Sequence, residues 1–351
     1  MSNVALRIGE DVDPPSSAAR AAAVERLAGL ATPAGALGRL GDLAVWVATV
    51  QGQCPPGPVE HVRAVVFAGD HGVSEHGVSA YPREITALMV RAFLSGTAGV
   101  AVLARQHGVA LRVLDLGVDD DLAGVPAEVT AHKIRRSSGP IHLADALTGQ
   151  ETLDALRVGA LVAAEEVEAG AQMLIGGDMG IGNTSPAAAL IAACLGLPAS
   201  EVTGRGTGVT GDALAHKESV IDQALTRAGS RADHPVDLLT ALGSADLAAG
   251  VGFLVAAARL RTPVVLDGVI SVACAVVAEH MAPGAARWFV AGHRSPEPAQ
   301  SLALDKLGLE PILDLGMRLG EGSGAMAAVP LLRSASALLS EMALLSDVLG
   351  E

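Results

Sequence analysis

Six short apolar runs punctuate the chain, at 64–68, 111–114, 173–175, 264–266, 288–291 and 312–315. Each is too short for a helix and each leads into glycine or aspartate, which marks it as a buried strand. Between them lie longer stretches in which apolar residues recur every three or four positions, the spacing of one helix face; 152–171 and 212–228 are the clearest. Strand and helix alternating in this way predict an α/β fold: a Rossmann-like parallel sheet of about six strands, flanked by helices. Residues 17–50 read as helical with a break at Thr32-Pro33, 54–58 as a proline-rich linker, and 331–349, after Pro330, as a closing helix. The two ends predict a smaller helical domain made of 1–58 and 326–351, beside a large α/β domain over 59–325.

The strand ends carry the candidate chemistry. They run into Gly69-Asp70-His71, Asp115-Leu116-Gly117, Gly176-Gly177-Asp178, Asp267-Gly268, Gly292-His293-Arg294 and Leu315-Gly316. Ligands of open parallel sheets bind beyond the carboxyl ends of the strands, and glycine admits a ligand close to backbone. The richest of these stretches, QMLIGGDMGIGNTSPAAAL at 172–190, passes from a strand through glycines to Ser185-Pro186, where serine is expected as N-cap and proline as first helical residue. Converging N–H groups and the helix dipole there suit an anion, best a phosphate. Gly177 to Thr184 has the spacing of a Walker A loop, but Asn183 stands in place of its lysine, which argues against a triphosphate. Gly180-x-Gly182-x-x-Ser185 lacks the third glycine of a dinucleotide fingerprint. A phosphate monoester fits better than either.

Composition narrows this further. Half of the 351 residues are apolar and aromatics are 2%, so the core is built from Ala, Val and Leu. A formal charge of −14 argues against nucleic acid or an anionic membrane as partner. No uncharged apolar stretch reaches the ~18 residues of a spanning helix, and the start lacks the pattern of a signal peptide. The three cysteines, Cys54, Cys194 and Cys274, are scattered, which suits neither a disulfide framework nor a zinc site; a cytoplasmic protein is expected.

Lysine is rare, with only Lys133, Lys217 and Lys306. Lys217 shares a helix face with Leu214, Ile221 and Leu225, so it must find an anion or reach solvent by its stem. Asp70, His71, His76 and His293 have neither the i, i+4 spacing of a helical metal pair nor a serine elbow beside them, and read as groups that brace loops.

The motifs FAGDHGVS (67–74), GVSAYPREIT (77–86), GIGNT (180–184), TGRGTGV (203–209), LDG (266–268), AGHRSPEP (291–298) and LGMRLGEGSGA (315–325), with LGRLGDLA (37–44), closely resemble those of the nicotinate-nucleotide:dimethylbenzimidazole phosphoribosyltransferases. The resemblance spans most of the chain. It implies conversion of nicotinate mononucleotide and 5,6-dimethylbenzimidazole to α-ribazole 5′-phosphate and nicotinate, with inversion at C1′, in cobalamin biosynthesis. It also implies a homodimer with no cofactor and no metal. Glu321 then corresponds to the proton acceptor. Gly180, Gly182, Asn183, Thr184 and Lys217 correspond to phosphate contacts, Asp267 and Gly268 to the ribose side, and Ser295 to the nicotinate side. Tyr81, Met89 and Met179 correspond to the base pocket. Asp178 departs from the glutamate usual at its place, one methylene shorter, and is expected either to assist the same proton or to brace the loop. Two rivals stand beside this reading: a related transferase acting on adenine or a phenol, and a non-catalytic nucleotide-binding protein.

The chemistry is consistent with those residues. Nicotinate leaves from a pyridinium nitrogen that departs neutral and needs no acid. The attacking benzimidazole gains positive charge while its other nitrogen sheds a proton, and one carboxylate serves both needs.

Overall fold

The computed structural model describes residues 6–350 and shows a five-stranded parallel sheet in the order β2-β1-β3-β4-β5. The chain enters through α1 (Ser17–Gly29) and α2 (Arg39–Gln51), then forms β1 (Val62–Gly69). Two helices, α3 (Ile85–Leu94) and α4 (Gly99–His107), lead to β2 (Ala110–Gly117). A one-turn α5 (Ala127–Thr130) and the long α6 (Gly149–Glu168) lead back across the sheet to β3 (Met173–Met179). Five helices separate β3 from β4 (Val264–Leu266): α7 (Thr184–Leu195), α8 (Ala199–Val202), α9 (Asp212–Ala228), α10 (Pro235–Leu242) and α11 (Ala245–Arg259). After α12 (Val269–Met281), β5 (Phe289–Ala291) and α13 (Pro298–Leu307), the chain closes through α14 (Ser323–Glu341) and α15 (Leu345–Leu349).

The strand alternation sorts the apolar side chains onto two faces. Val65, Phe67, Leu114, Leu116, Leu174 and Leu266 pack under α6, α7, α11 and α12. Val66, Val113, Met173, Ile175, Val265 and Val290 pack under α2, α3, α4 and α14. Helices α6 and α11 approach so closely that a Cβ on Gly159 would strike the Ala249 carbonyl, and one on Gly252 the Leu156 carbonyl. Gly252→Ala is therefore expected to destabilise the fold by about 1–3 kcal/mol, the usual cost of overpacking a closed core. A denaturant midpoint equal to the parent's would show that the two helices can part freely.

Several expectations are corrected. The run 312–315 forms no sixth strand; it makes a single parallel bridge, Leu313 to His293. Pro311 offers no N–H at its entry, and beyond Leu313 the chain turns into solvent, with Leu315 66% exposed and Gly316 at φ +64°. The closing helix starts at Ser323, ahead of Pro330, which lies inside it. Its start is set by Asp267, whose carboxylate accepts the N–H groups of Gly322, Gly324 and Ala325 at 2.7–3.0 Å. The boundary drawn at 325/326 falls within this helix, which packs on α2, α4 and β3 in one apolar layer. Ser185 is no N-cap: Asn183 is already helical at φ −55°, ψ −28°, so α7 starts at Thr184 and Ser185 lies inside it. The apolar stretch Ile85–His107 is long enough by composition to cross a bilayer, but it folds as α3 and α4 with a turn between them and is anchored on the sheet.

Candidate active site

The strand order reverses between β1 and β3, so their outgoing loops part to opposite sides and leave a crevice, the place where open sheets of this order bind ligands. The loop after β1 packs tightly on the loop after β3. A Cβ on Gly180 would collide with the Gly69 carbonyl and the His71 ring, and one on Gly182 would press on Ser74. The fully buried Thr86 accepts the Ile181 N–H at 3.2 Å and pins the turn from the α3 side.

Glu321 approaches the crevice from the α14 side. It has left-handed backbone, φ +67°, between Gly320 at +77° and Gly322 at +94°, a sharp reversal only glycine neighbours allow without strain. The reversal lies on the end of β3, where a Cβ on Gly177 would strike the Glu321 carbonyl. Its side chain is 5% exposed, and Oε2 accepts the Val100 N–H at the start of α4 at 3.1 Å. Burial raises the Glu321 carboxyl above the ordinary glutamate value; Val100 pulls it down in part and the Asp267 charge pushes it up. Leu319 fills the space beside Gly99, next to this carboxylate. Met89 of α3 and Met179 at the end of β3 belong to the same apolar layer and are half-buried, while Tyr81 is exposed on the loop before α3.

Asp178 points the other way. Side chains alternate along β3: Gly177 faces Glu321, so Asp178 lies on the α11 side, where it accepts from the Asn183 side-chain amide at 2.6 Å. Burial and the neighbouring Asp246 push its carboxyl well above the usual carboxylate range. Asp246 in turn is held low despite its burial, foremost by His71, whose Nε2 lies 3.3 Å away. Asp178 and Asp246 thus share a site that favours one negative charge between them.

The far side of the β3 loop is a polar cradle. Lys217 is fully buried on α9, and its Nζ donates to Thr184 Oγ1 at 2.9 Å and to the Gly204 carbonyl at 3.0 Å. Two donors are engaged and the third is available. A Cβ on Gly206 would crowd both Thr184 and the ammonium, so the turn at 204–206 requires glycine at this point. Thr184, the first residue of α7, thus links the loop that carries Gly180, Gly182 and Asn183 to Lys217.

Asp267 and Ser295 are placed differently from ligand contacts at a surface. Asp267 is buried with both oxygens engaged by α14 and lies 3.5 Å from His293 Nε2, so it anchors the turn that carries Glu321. Gly268 precedes α12 and is half-buried. Ser295 is buried in the loop after β5, its N–H donating to Gln300 Oε1 at 2.5 Å. Thr86, Asp246, Leu319 and Glu297 were not singled out from sequence. Thr86, Leu319 and Glu297 stand inside the motifs GVSAYPREIT, LGMRLGEGSGA and AGHRSPEP, which is the signal the sequence offers for them; Asp246 has none.

Comparison with known proteins matches a phosphoribosyltransferase family model over residues 12–348. A nicotinate-nucleotide–dimethylbenzimidazole phosphoribosyltransferase of Mycolicibacterium paratuberculosis is 53% identical over 334 residues, 95% of each chain. The enzyme of that name from Mycobacterium tuberculosis is 52% identical over 336 residues, 96% of this chain and 92% of the relative. Among solved structures, CobT from Thermus thermophilus superposes with a TM-score of 0.89 at 40% identity, covering 94% of this chain and 98% of that one.

Proposed function

The chain belongs to the phosphoribosyltransferase family that includes the nicotinate-nucleotide–dimethylbenzimidazole enzymes, and from that premise we propose that it makes α-ribazole 5′-phosphate for cobalamin biosynthesis. The substrates are nicotinate mononucleotide and 5,6-dimethylbenzimidazole. The nucleotide's phosphate sits in the cradle of Lys217, Thr184 and the 180–183 loop. The base lies on the α3 side, against Met89, Met179 and Tyr81, with Leu319 beside Glu321. Attack by the base nitrogen on C1′ from the face opposite nicotinate inverts that centre. The C1′–N bond to nicotinate breaks, its electron pair passes to the pyridinium nitrogen, and the ring departs neutral at that atom. The proton on the second base nitrogen passes to Glu321.

The single observation that carries this reading is the placement of Glu321. It is a buried carboxylate of raised basicity, with one oxygen held by Val100 and the other unengaged, in a turn seated on the end of β3 beside the apolar layer of α3, α4 and α14. Asp178, directed to the α11 side, braces Asn183 in this mechanism and takes no proton from the base. We propose further that the molecule works as a homodimer, supported by the exposed apolar Leu88, Leu94 and Val102 on α3 and α4, and in a reducing compartment that suits its three free cysteines. Incubation with nicotinate mononucleotide and a panel of benzimidazoles, purines and phenols tests the reaction: nicotinate release is expected with benzimidazoles. Release with none would leave a nucleotide-binding protein, and release only with adenine or phenols would reassign the base.

A further inference from the structure

We infer that Glu297 is a positioning residue for the nucleotide phosphate: it folds the Gly204–Gly206 turn on which the Lys217 ammonium rests. This rests on the placement of the phosphate at Lys217 proposed above. Glu297 stands at the N-cap position of α13, yet its side chain does not cap that helix. It reaches instead across to the turn after α8, where Oε1 accepts the Gly206 N–H at 2.8 Å. Oε2 occupies the space a Cβ on Gly204 would need, so a larger residue there is shut out by the carboxylate itself. The same turn presents the Gly204 carbonyl to Lys217 Nζ. One buried carboxylate thus shapes the turn on which the ammonium rests.

Its charge matters as much as its shape. A fully buried ammonium is driven toward the neutral amine; burial does lower Lys217, and the Glu297 charge opposes that shift. The other charged groups around α9 are directed elsewhere. Arg205 of the turn, Glu201 of α8 and Asp237 of α10 are exposed. His216 turns to the His76 carbonyl, Arg227 and Arg231 pair with Asp145, Asp233 is exposed, and Glu218 is half-buried beside Lys217 in sequence. Thr184, from α7, is uncharged.

The test is the pH dependence of KM for nicotinate mononucleotide in the intact enzyme. In the parent, KM should climb on the alkaline side as Lys217 loses its proton. Glu297→Gln keeps an acceptor for the Gly206 N–H but removes the charge, so the climb should move about one pH unit or more toward neutral, the size expected when an opposite charge nearby is lost. Glu297→Asp keeps the charge with a shorter reach, so KM should rise alike at every pH and the climb should stay in place. Superposable profiles for Glu297→Gln and the parent would overturn the charge assignment; a parental KM in Glu297→Asp would overturn the positioning of the turn. That second variant decides the positioning of the turn should Glu297→Gln fail to fold. Lys217→Met, run alongside, separates the two levels: if it leaves KM for the nucleotide unchanged, the phosphate placement itself is wrong, whatever Glu297 does.

Discussion

Glu321→Gln is expected to bind both substrates with KM near the parent's and to lose about 10²–10⁴-fold in kcat, the range over which general-base help acts. The amide is isosteric and its oxygen still accepts the Val100 N–H, so the turn between Gly320 and Gly322 should keep its shape. What disappears is the group that takes the proton and balances the positive charge growing on the base. Because burial raises the Glu321 carboxyl, kcat/KM of the parent should fall as pH drops through a value above the ordinary glutamate range, and that acid limb should vanish in the variant. The stability signature has the opposite sense. A carboxyl whose folded pKa is raised favours folding while protonated and loses that contribution as pH rises through the folded value. The variant should therefore melt higher than the parent at pH 8, with the difference shrinking in acid. A parental kcat in Glu321→Gln would remove the base from the mechanism and leave Glu321 only its hold on α4.

Much of this arrangement can be read in the sequence, and the parts that cannot share a physical reason. Helix 212–228 is legible to the residue because its apolar stripe ends at Gly211 and Gly229, both at positive φ. Lys217 is legible because a rare cation on an apolar face has few ways to be satisfied. The false sixth strand shows the limit: 312–315 has strand composition, but pairing depends on a neighbour and an entry residue that local pattern does not report. The start of α14 is hidden for a similar reason. Proline at 330 signals a beginning, whereas the cap that sets the true start, Asp267, lies on a different strand end. The carboxylates Asp178, Asp267 and Glu297 are visible as residues but not as roles. Which face of β3 is covered by α11 and which by α14 decides that Asp178 braces Asn183 while Glu321 lies against the opposite face, and local sequence does not report that.

Lys217→Met carries the second large effect, and it should fall on binding. Methionine keeps the length and apolar stem of the side chain, so the packing of α9 on α7 should survive. The loss is one charge-assisted donor to a phosphate, of the order that makes ~10–100-fold in affinity. KM for nicotinate mononucleotide should rise by that factor, KM for the base should stay near the parent's, and kcat should change little. The phosphate is remote from the breaking C1′–N bond, and its grip is the same in ground and transition states. Arginine should not restore the parent. The ammonium lies in a space closed by Thr184, the Gly204 carbonyl and the backbone of Gly206, with no room for a planar fork. If kcat collapsed while KM for the nucleotide held, Lys217 would have to act at the reacting centre, and the two ends of the crevice would need to be exchanged: sugar-phosphate toward Glu321 and base toward α9. Steady-state kinetics with each substrate varied in turn distinguishes the two orientations.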